Sequence, residues 1–353
     1  MHLSTHARIA PDRPALIMAA SGEAISYREL EQRSNQGAQL FRQLGLARGD
    51  VIAILLENSP RYFELAWAAQ RTGLYYTCIS SKLTADEAEY IIRDCGARLL
   101  VTSREFGELA VDLKRRLTGL PIYMVVEPLR AFLDFEAERE AQPVEPVADE
   151  SAGSDMLYTS GTTGRPKGVK PPLGDQPLDE ETRLEGVCRR MFAFEAGCNY
   201  LCPAPLYHSA PLRFSMTVQR LGGTVVLMER YDAEAALELI ERYRIACAQF
   251  VPTHFNRMLK LPEEARKRSD MSSLRSVVHA SAPCPVPVKE AMIDWWGPIV
   301  HEYYSGTEGN GMCCISSPKW LAHKGSVGKS IVGTLYICDD SGEPLPVRAE
   351  GLV

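Results

Sequence analysis

Short, almost continuous apolar runs recur along the first hundred residues of the chain, with longer amphipathic segments between them. A run such as "VIAILL" (51–56) is typical of a parallel strand that is buried on both faces. The strands expected in this region are 51–56, 74–79 and 98–102. Strands that alternate with helices at this spacing predict an α/β fold with crossover connections.

Each intervening segment carries local signals for the start and the end of a helix. Serine or threonine followed three residues later by glutamate forms a capping box, because each side chain bonds the other residue's backbone amide. This pattern predicts helix starts at Ser26 and Thr84, and Pro60 suits the first turn of a third helix. These helices are expected to end near Gly45, Gly73 and Gly96.

The alternation continues downstream. Further strands are expected at 156–159, 222–228 and 298–309, and residues 248–252 and 276–283 are expected to be strands that run into loops. Residues 232–244 have the pattern of an amphipathic helix, with Ala235, Leu239 and Tyr243 along one face. Two polar, proline-rich stretches, 141–155 and 171–181, are expected to be surface loops.

Composition and charge narrow the class of protein. The chain has 353 residues, 45% of them hydrophobic and 24% charged, which suits one large domain or two lobes. A net charge of −6 argues against nucleic acid or an anionic membrane surface as the main partner. No leader or transmembrane segment is expected, because the longest clean apolar run, 51–56, is far too short to span a bilayer.

The 10 cysteines are scattered along the chain. A chain of this size is not a disulfide scaffold, and Cys198 and Cys202 have no second pair at zinc-binding spacing. We therefore expect reduced thiols, mostly in the core, and a cytoplasmic location.

The stretch "YTSGTTGRPKGV" (158–169) combines hydroxyls, glycines and one lysine directly after an expected strand. Backbone amides, hydroxyls and an ammonium group together suit phosphate oxygens. A Walker P-loop is excluded, since Pro166 stands where it needs glycine and Gly168 where it needs serine or threonine. A flexible linker would have no reason to hold Pro166 and Lys167 at fixed places after a strand.

This stretch resembles the phosphate-binding signature of the adenylate-forming superfamily, which includes acyl-CoA synthetases and adenylation domains. The family's other blocks are matched in order by "PLYHSAP" (205–211), "HASAPCP" (279–285), "EYYSGTEG" (302–309) and residues 325–353. Ser305 departs from the family's usual glycine. The resemblance implies that residues 1–353 form the large N-terminal domain of such an enzyme, an α/β domain of layered mixed and parallel sheets with flanking helices.

The resemblance also implies a two-step reaction, in which a carboxylic acid reacts with ATP to give acyl-AMP and pyrophosphate, and coenzyme A then takes the acyl group. Mg²⁺ is the implied metal, held by Glu308 and Thr162. The implied phosphate-binding residues are Thr159, Ser160, Gly161, Thr162, Thr163, Gly164 and Lys167. The implied contacts to adenine and the α-phosphate are Ser281, Ala282, Pro283, Tyr303, Tyr304, Ser305, Gly306 and Thr307. Lys167, Thr307, Glu308 and His208 are the implied catalytic residues, with His208 lining the substrate or magnesium region.

The sequence limits the identity of the carboxylic acid without fixing it. Its pocket should be apolar, with residues of 250–258 and of the loop before Tyr303 as candidates. No aspartate follows "FVPTH" at an ammonium-binding place, which disfavours an amino acid. We expect a fatty or other hydrophobic acid; an aryl-acid:CoA ligase, a stand-alone adenylation enzyme and a non-catalytic nucleotide-binding module are the alternatives. A homodimer is left open.

The last residues, "AEGLV", stand before the place where the family has a Tyr-x-Thr-Gly-Asp block, a hinge and a small C-terminal lobe that carries a lysine. The expectation from the resemblance is therefore a truncated N-terminal domain, impaired in the complete reaction.

Overall fold

The computed structural model of the chain describes residues 1–159 and 165–352. Its strands are β1 Pro14–Met18, β2 Ala24–Ser26, β3 Val51–Leu55, β4 Tyr75–Cys78, β5 Ala97–Ser103, β6 Ile122–Val125, β7 Leu133–Asp134, β8 Ser154–Asp155, β9 Leu157–Thr159, β10 Lys167–Val169, β11 Asn199–Cys202, β12 Thr224–Leu227, β13 Cys247–Phe250, β14 Ser276–His279, β15 Val300–Ser305, β16 Met312–Ile315 and β17 Lys329–Val332. Its α-helices are α1 Leu3–Ile9, α2 Tyr27–Gln43, α3 Pro60–Arg71, α4 Ala85–Asp94, α5 Gly107–Arg116, α6 Phe135–Glu140, α7 Arg183–Met191, α8 Ser209–Arg220, α9 Ala233–Arg242, α10 Pro252–Leu259, α11 Glu263–Arg268, α12 Val286–Trp296 and α13 Ser317–Ala322.

Most strands of the described ranges belong to two sheets. The larger sheet has the order β17-β16-β15-β14-β13-β11-β12-β1-β2, and its central strands from β15 to β1 are parallel. Its edges are antiparallel, at β1–β2 and from β15 to β17. The smaller sheet, β7-β6-β5-β3-β4-β8, is parallel throughout. β9 and β10 form a separate antiparallel hairpin. The expected α/β class, with mixed and parallel sheets and flanking helices, is confirmed.

The local signals in the sequence act as expected. Ser26 and Thr84 each complete a capping box, so α2 and α4 begin where the pattern predicts. Pro60 occupies the first turn of α3, and Gly45 takes a φ of +75° after the end of α2, a conformation that costs glycine least. The strands expected at 51–56, 74–79 and 98–102 are β3, β4 and β5, whose residues are almost all buried.

Some boundaries differ from the expectations. The end of the 141–155 stretch forms β8, because Ser154 and Asp155 pair with β4. Pro252 begins helix α10 where a loop was expected, and β15 ends at Ser305, before 306–309. Strand β14 ends at His279 and runs into a loop at 280–283, as expected. The buried face of α9 consists of Ala233, Ala236, Leu237, Leu239 and Ile240, while Ala235 and Tyr243 are only half-buried. The face predicted for this helix was therefore rotated by part of a turn.

Helix α8 is buried on nearly all sides, so its polar groups need partners inside the protein. The Trp67 indole donates to Gln219 Oε1 at 2.7 Å. At the end of the helix, His6 Nε2 donates to the Arg220 carbonyl at 2.8 Å, and Arg220 Nε lies 3.0 Å from Glu185 Oε2. These bonds join α1, α3, α7 and α8 into one unit.

Two further expectations concern membrane and cysteines. Within the described residues, no helix has the length and apolar character that crossing a bilayer requires. All cysteines of the chain are free thiols; seven are buried and the other three, Cys284, Cys314 and Cys338, are half-buried. The expected core location is confirmed for most of them.

Replacement of Gln219 by methionine should destabilise the fold. The substitution keeps the side-chain length but leaves the buried Trp67 indole without its acceptor, which costs about 1–3 kcal/mol. Urea unfolding followed by circular dichroism measures the difference. Gln32→Met, at an exposed position of α2, is the control. Equal unfolding midpoints for the wild type and Gln219→Met would show that this bond adds no net stability.

Candidate functional site

A cleft of about 1350 Å³ lies at the carboxyl edge of the parallel strands β11, β13, β14 and β15. Its walls include residues that follow these strands, residues along α8, and residues of β8 and β9 from the other side. In open α/β sheets this edge is the usual place for a ligand. The cleft is thus the candidate site of the molecule.

The structure brings many of the sequence-predicted residues to this cleft. Its lining includes Thr159, His208, Ser281, Tyr303, Ser305, Gly306 and Thr307. Predicted residues that do not belong to the lining are Lys167, Ala282, Pro283, Tyr304 and Glu308, although each is close in sequence to one that does. Ser160, Gly161, Thr162, Thr163 and Gly164 lie outside the described residues.

The hairpin of β9 and β10 holds both ends of the predicted phosphate loop. Lys167 pairs with Thr159 across the hairpin, and its side chain is exposed. The Tyr158 hydroxyl donates to Asp94 Oδ2 at 2.5 Å, and the Tyr90 hydroxyl donates to the Pro166 carbonyl at 3.2 Å. Helix α4 therefore anchors the hairpin on both sides of 160–164.

Strand β15 presents its two tyrosines to opposite sides. Tyr303 packs against the rings of Phe192 and Phe214, at centroid distances of 6.2 and 5.9 Å, whereas Tyr304 is 49% exposed. Ser305 has no positive φ, and its hydroxyl donates to the Gly311 carbonyl at 2.7 Å. Serine is thus accommodated in place of glycine and closes the turn that follows.

That turn brings two side-chain oxygens together. A Cβ atom on Gly306 would lie 2.7 Å from Glu308 Oε2 and 3.1 Å from Asn310 Oδ1, so both oxygens face the same point of the turn. Hard oxygen donors suit Mg²⁺, which proteins commonly bind through one or two carboxylates together with substrate phosphates. The described residues contain no group of three or more His, Cys, Asp or Glu side chains arranged for a metal. The side-chain oxygens of Glu308 and Asn310 are donors of the kind that Mg²⁺ takes.

The loop after β14 carries local backbone strain. Ser281 has a φ of +75°, which is uncommon for a residue other than glycine and costs on the order of 1–3 kcal/mol. Such strain concentrates at ligand-binding positions. Ser281 lines the cleft, while Ala282 and Pro283 are exposed beside it.

A buried charged cluster below this loop was not singled out from the sequence. Lys289 of α12 donates to Glu302 of β15, and His279 Nε2 of β14 lies 3.6 Å from the same Glu302 oxygen. Burial lowers the pKa of His279 to about 3, so the imidazole is neutral. The cluster joins β14, β15 and α12. Ser281 follows β14, and Tyr303 lies on β15. The sequence signal that could have indicated this cluster is a charged residue within an otherwise apolar segment, as at Lys289 and Glu302.

A second charged pair that sequence reasoning missed lies in the cleft wall. Arg213 of α8 contacts Asp155 of β8 through two parallel bonds, Nε to Oδ2 at 2.8 Å and Nη2 to Oδ1 at 3.2 Å. The pair connects α8, which packs on the larger sheet, to β8 at the edge of the smaller sheet. An arginine inside the apolar segment "PLRFSM" was its only sequence signal.

Desolvation lowers the pKa of two histidines in the cleft. Burial lowers the pKa of His208, whose ring lies 4.4 Å from that of Tyr207. His254 packs at 4.1 Å on the Tyr231 ring, and its Nδ1 accepts from the Val251 amide at 3.4 Å. Burial, and then the nearby Arg257 charge, lower the pKa of His254 to about 4. Both rings line the cleft without adding positive charge.

Comparison with known proteins places the chain among enzymes that bind AMP. A family model described as AMP-binding enzyme matches residues 3–353. The chain is 30% identical to 4-coumarate–CoA ligase 1 of Oryza sativa subsp. japonica, over 84% of this chain and 54% of that protein. It is 28% identical to a feruloyl-CoA synthase of an Amycolatopsis species, over 98% of this chain and 67% of that protein. It spans about half the length of the 4-coumarate–CoA ligases that it matches.

Solved structures share the fold. The N-terminal domain of FACL13 from Mycobacterium tuberculosis superposes with a TM-score of 0.83 at 22% identity, over 97% of this chain and 85% of that one. The amide bond synthetase McbA from Marinactinospora thermotolerans gives a TM-score of 0.83 at 24% identity, over 99% of this chain and 69% of that one.

Acid should destabilise the protein in part through His254. Its pKa is about 4 in the folded state and 6.5 ordinarily, so the unfolded state binds more protons between these values. The stability present above pH 6.5 is therefore lost as the pH falls towards 4. His254→Asn keeps an acceptor for the Val251 amide but does not titrate.

The measurement is the free energy of unfolding in urea at several pH values between about 7 and 4.5. We expect a shallower decline for His254→Asn than for the wild type. Parallel curves for the wild type and His254→Asn would contradict the lowered pKa.

Proposed function

The chain belongs to the AMP-binding enzyme family, and we propose that it activates a hydrophobic carboxylic acid with ATP and transfers the acyl group to coenzyme A. The observation that carries the proposal is the cleft, which joins the Ser281 loop, the Thr307 turn and the Thr159 end of the hairpin at one edge of the sheet. The names of the relatives, which are CoA ligases for 4-coumarate and ferulate, support the same reaction type. A cytoplasmic location is part of this proposal.

The first half of the reaction brings two anions together and releases pyrophosphate, so it depends on positioning and on stabilisation of charge. We assign Thr159, Lys167 and the 160–164 loop to the β- and γ-phosphates. Thr307 would donate to the α-phosphate, and Ser281 and Tyr304 would flank the adenine. Ala282 and Pro283 would extend the Ser281 side, while Tyr303, Ser305 and Gly306 would shape the pocket around the α-phosphate.

Glu308, together with Asn310, would hold Mg²⁺, and Thr162 is a further proposed ligand. A bound Mg²⁺ would neutralise charge on the phosphates. Glu308 serves this role as an exposed carboxylate at the edge of the cleft, where phosphate oxygens can complete the coordination. His208, which is exposed and lines the cleft, would border the acid where it meets the nucleotide.

The acid would lie along helix α8. Apolar side chains line this part of the cleft, among them Val187, Phe214, Met216 and Met312. Val251, Thr253 and His254 belong to the candidate region 250–258 and also line the cleft. A pocket with apolar walls and a few polar groups suits a hydrophobic acid.

An aryl acid is the second candidate within this function. The Phe214 and Tyr303 rings stack at 5.9 Å with an interplanar angle of 26°, and both residues line the cleft. Aromatic residues in the lining favour an aromatic tail, which can make further ring–ring contacts. The acceptor is a further point of the proposal, because one relative is a fatty acid–[acyl-carrier-protein] ligase.

Glu308→Gln tests the nucleotide site. Wild-type protein should bind Mg·ATP in a calorimetric titration, and omission of Mg²⁺ should weaken that binding. The variant should lose at least about tenfold in affinity for Mg·ATP, since even outer-shell partners of metal sites cost that much. Its affinity for AMP without metal should stay unchanged, and Glu264→Gln, another exposed position, should behave as the wild type.

Absence of any ATP or AMP binding by the wild type would reject the proposed function. Binding with the same metal dependence in Glu308→Gln would instead remove only this residue from the magnesium site.

Lys167→Ala should weaken binding of ATP more than binding of AMP, because only ATP carries the phosphates that its ammonium would contact. A hydrogen bond to a charged group contributes about 1.5–3 kcal/mol, so the loss for ATP is roughly tenfold to a hundredfold. Calorimetry with both nucleotides measures it. Lys170→Ala is a matched control, because Lys170 lies three residues further on and its ammonium stands 4.7 Å over the Tyr75 ring. Equal losses for the two nucleotides would mean that Lys167 only shapes the hairpin.

A further inference from the structure

Helix α10 presents polar side chains to the cleft. Thr253, His254 and Arg257 line it, and Val251 stands just before the helix. His254 and Arg257 are three positions apart, so they are neighbours on the helix surface, with about 5–6 Å between their Cβ atoms. This side of the cleft therefore suits a polar part of a ligand and not its hydrocarbon tail.

Arg257 carries a positive charge without a partner among the residues that the structure describes. Its side chain is exposed, and no described carboxylate pairs with it, whereas two other arginines of the lining, Arg213 and Arg220, each pair with a carboxylate. The guanidinium lies 4.7 Å from the centroid of the Tyr231 ring, which also lines the cleft. Arg257 is thus a cation that an anionic ligand can reach.

His254 supplies a neutral donor beside this cation. Burial, and then the Arg257 charge, lower the pKa of the ring to about 4. The Val251 amide donates to Nδ1 at 3.4 Å, so the single proton of the neutral ring lies on Nε2. No hydrogen bond of the described residues engages this Nε2–H. The ring packs at 4.1 Å on Tyr231, whose hydroxyl donates to the His254 carbonyl at 3.0 Å, so the orientation of the imidazole is fixed.

One aromatic ring brings the two groups together. Tyr231 contacts both the imidazole of His254 and the guanidinium of Arg257. The Arg257 charge is also near enough to lower the pKa of His254. A charged fork and a neutral N–H at neighbouring positions match an anion with two oxygens, since a carboxylate accepts from several donors at once.

The place of α10 in the sheet indicates which anion this is. The helix follows β13, whose neighbours are β14 on one side and β11 on the other. The Ser281 loop follows β14 and His208 follows β11, and parallel strands lie about 4.8 Å apart. Helix α10 therefore begins between the proposed nucleotide residues and His208. Because the phosphates are assigned to the hairpin and to the Thr307 turn after β15, the anion expected at α10 is the carboxylate of the acid.

We propose that Arg257 and His254 bind the carboxylate of the acid before it reacts with ATP, with the guanidinium and the Nε2–H both donating to its oxygens. This inference rests on the proposed function, because it places the reacting group of the same acid. The acid loses its negative charge when a carboxylate oxygen bonds to the α-phosphorus and pyrophosphate leaves, so the two residues act on the free acid. Tyr231 is a positioning residue, since it holds both groups.

The experiment compares carboxylic acids with amides that have the same tail, on the full chain and without nucleotide. Octanoate is paired with octanamide, and 3-phenylpropionate with 3-phenylpropanamide, so the preference for a tail cancels within each pair. Calorimetry measures these four affinities and, separately, the affinity for AMP. In each pair that binds, we expect the acid to bind roughly ten to a hundred times more tightly than its amide, the range of a hydrogen bond to a charged group.

Three variants test the residues themselves. Arg257→Met should abolish the preference for the acid over the amide, while AMP affinity stays that of the wild type. Arg257→Lys keeps the charge without the fork and should retain part of the preference. His254→Asn keeps an acceptor for the Val251 amide but has no Nε2–H, so the preference should fall about twofold to tenfold, the range of a neutral hydrogen bond. Arg242→Met is the control, because Arg242 is also exposed and stands 6.0 Å over the Tyr243 ring, but does not line the cleft.

Arg257 is exposed, so its variants decide the matter even if His254→Asn fails to fold. Where AMP binds, equal affinities for the acids and their amides, or no binding of either acid, would overturn the inference and leave the proposed nucleotide site intact. A preference that survives in Arg257→Met would do the same. If Arg257→Met lost affinity for AMP as strongly as for the acids, Arg257 would belong to a nucleotide phosphate, which also contradicts the inference. If neither AMP nor any acid binds to the wild type, the proposed function fails and this inference fails with it.

Discussion

The burial of helix α8 is the constraint on which the rest of the structure depends. A helix enclosed on nearly all sides must find partners for its polar side chains and for its last carbonyls inside the protein. Those partners come from elements that are distant in the sequence: His6 from α1, Tyr27 from α2, Trp67 from α3 and Glu185 from α7. Because α8 also forms one wall of the cleft, each of these contacts indirectly fixes the shape of the candidate site.

The opposite wall depends on a different buried interaction. Lys289 and Glu302 are both withdrawn from water, so removal of either charge alone would leave the other uncompensated at a cost of about 3–5 kcal/mol. The Lys289 ammonium also stands 4.8 Å over the Trp320 ring, which gives it a second favourable contact. With His279 the cluster holds β14, β15 and α12 in register. The Ser281 loop follows β14, and the Thr307 turn follows β15. The distance between the loop and the turn is therefore set by the packing of these two strands and not by the loops.

Features that depend on residues close together in the sequence could be predicted, whereas features that depend on distant segments could not. The helix starts at Ser26 and Thr84 were predictable because a capping box involves residues three positions apart. The parallel strands were predictable because their burial shows as apolar runs. Three features were not predictable, because each depends on which distant segment packs against the residues concerned. They are the orientation of the buried face of α9, the pairing of β8 with β4 and the Arg213–Asp155 contact. The sequence motifs identified Thr159, Ser281 and Thr307, which all line one cleft. The buried charged residues Lys289 and Glu302 could be recognised in the sequence only as charges inside apolar segments.

The charge of the site differs from that of the chain. The protein carries a net charge of −6, yet the cleft is lined by Arg183, Arg213, Arg220 and Arg257 and by few carboxylates. Asp155 and Glu185 compensate Arg213 and Arg220, and the Arg257 guanidinium lies 4.7 Å over the Tyr231 ring. The arginines of the lining outside these two pairs are Arg183 and Arg257, so they and not the pairs supply the positive charge of the cleft. An anionic ligand, as the proposed function requires, would therefore meet arginine side chains in the cleft although the protein as a whole is acidic.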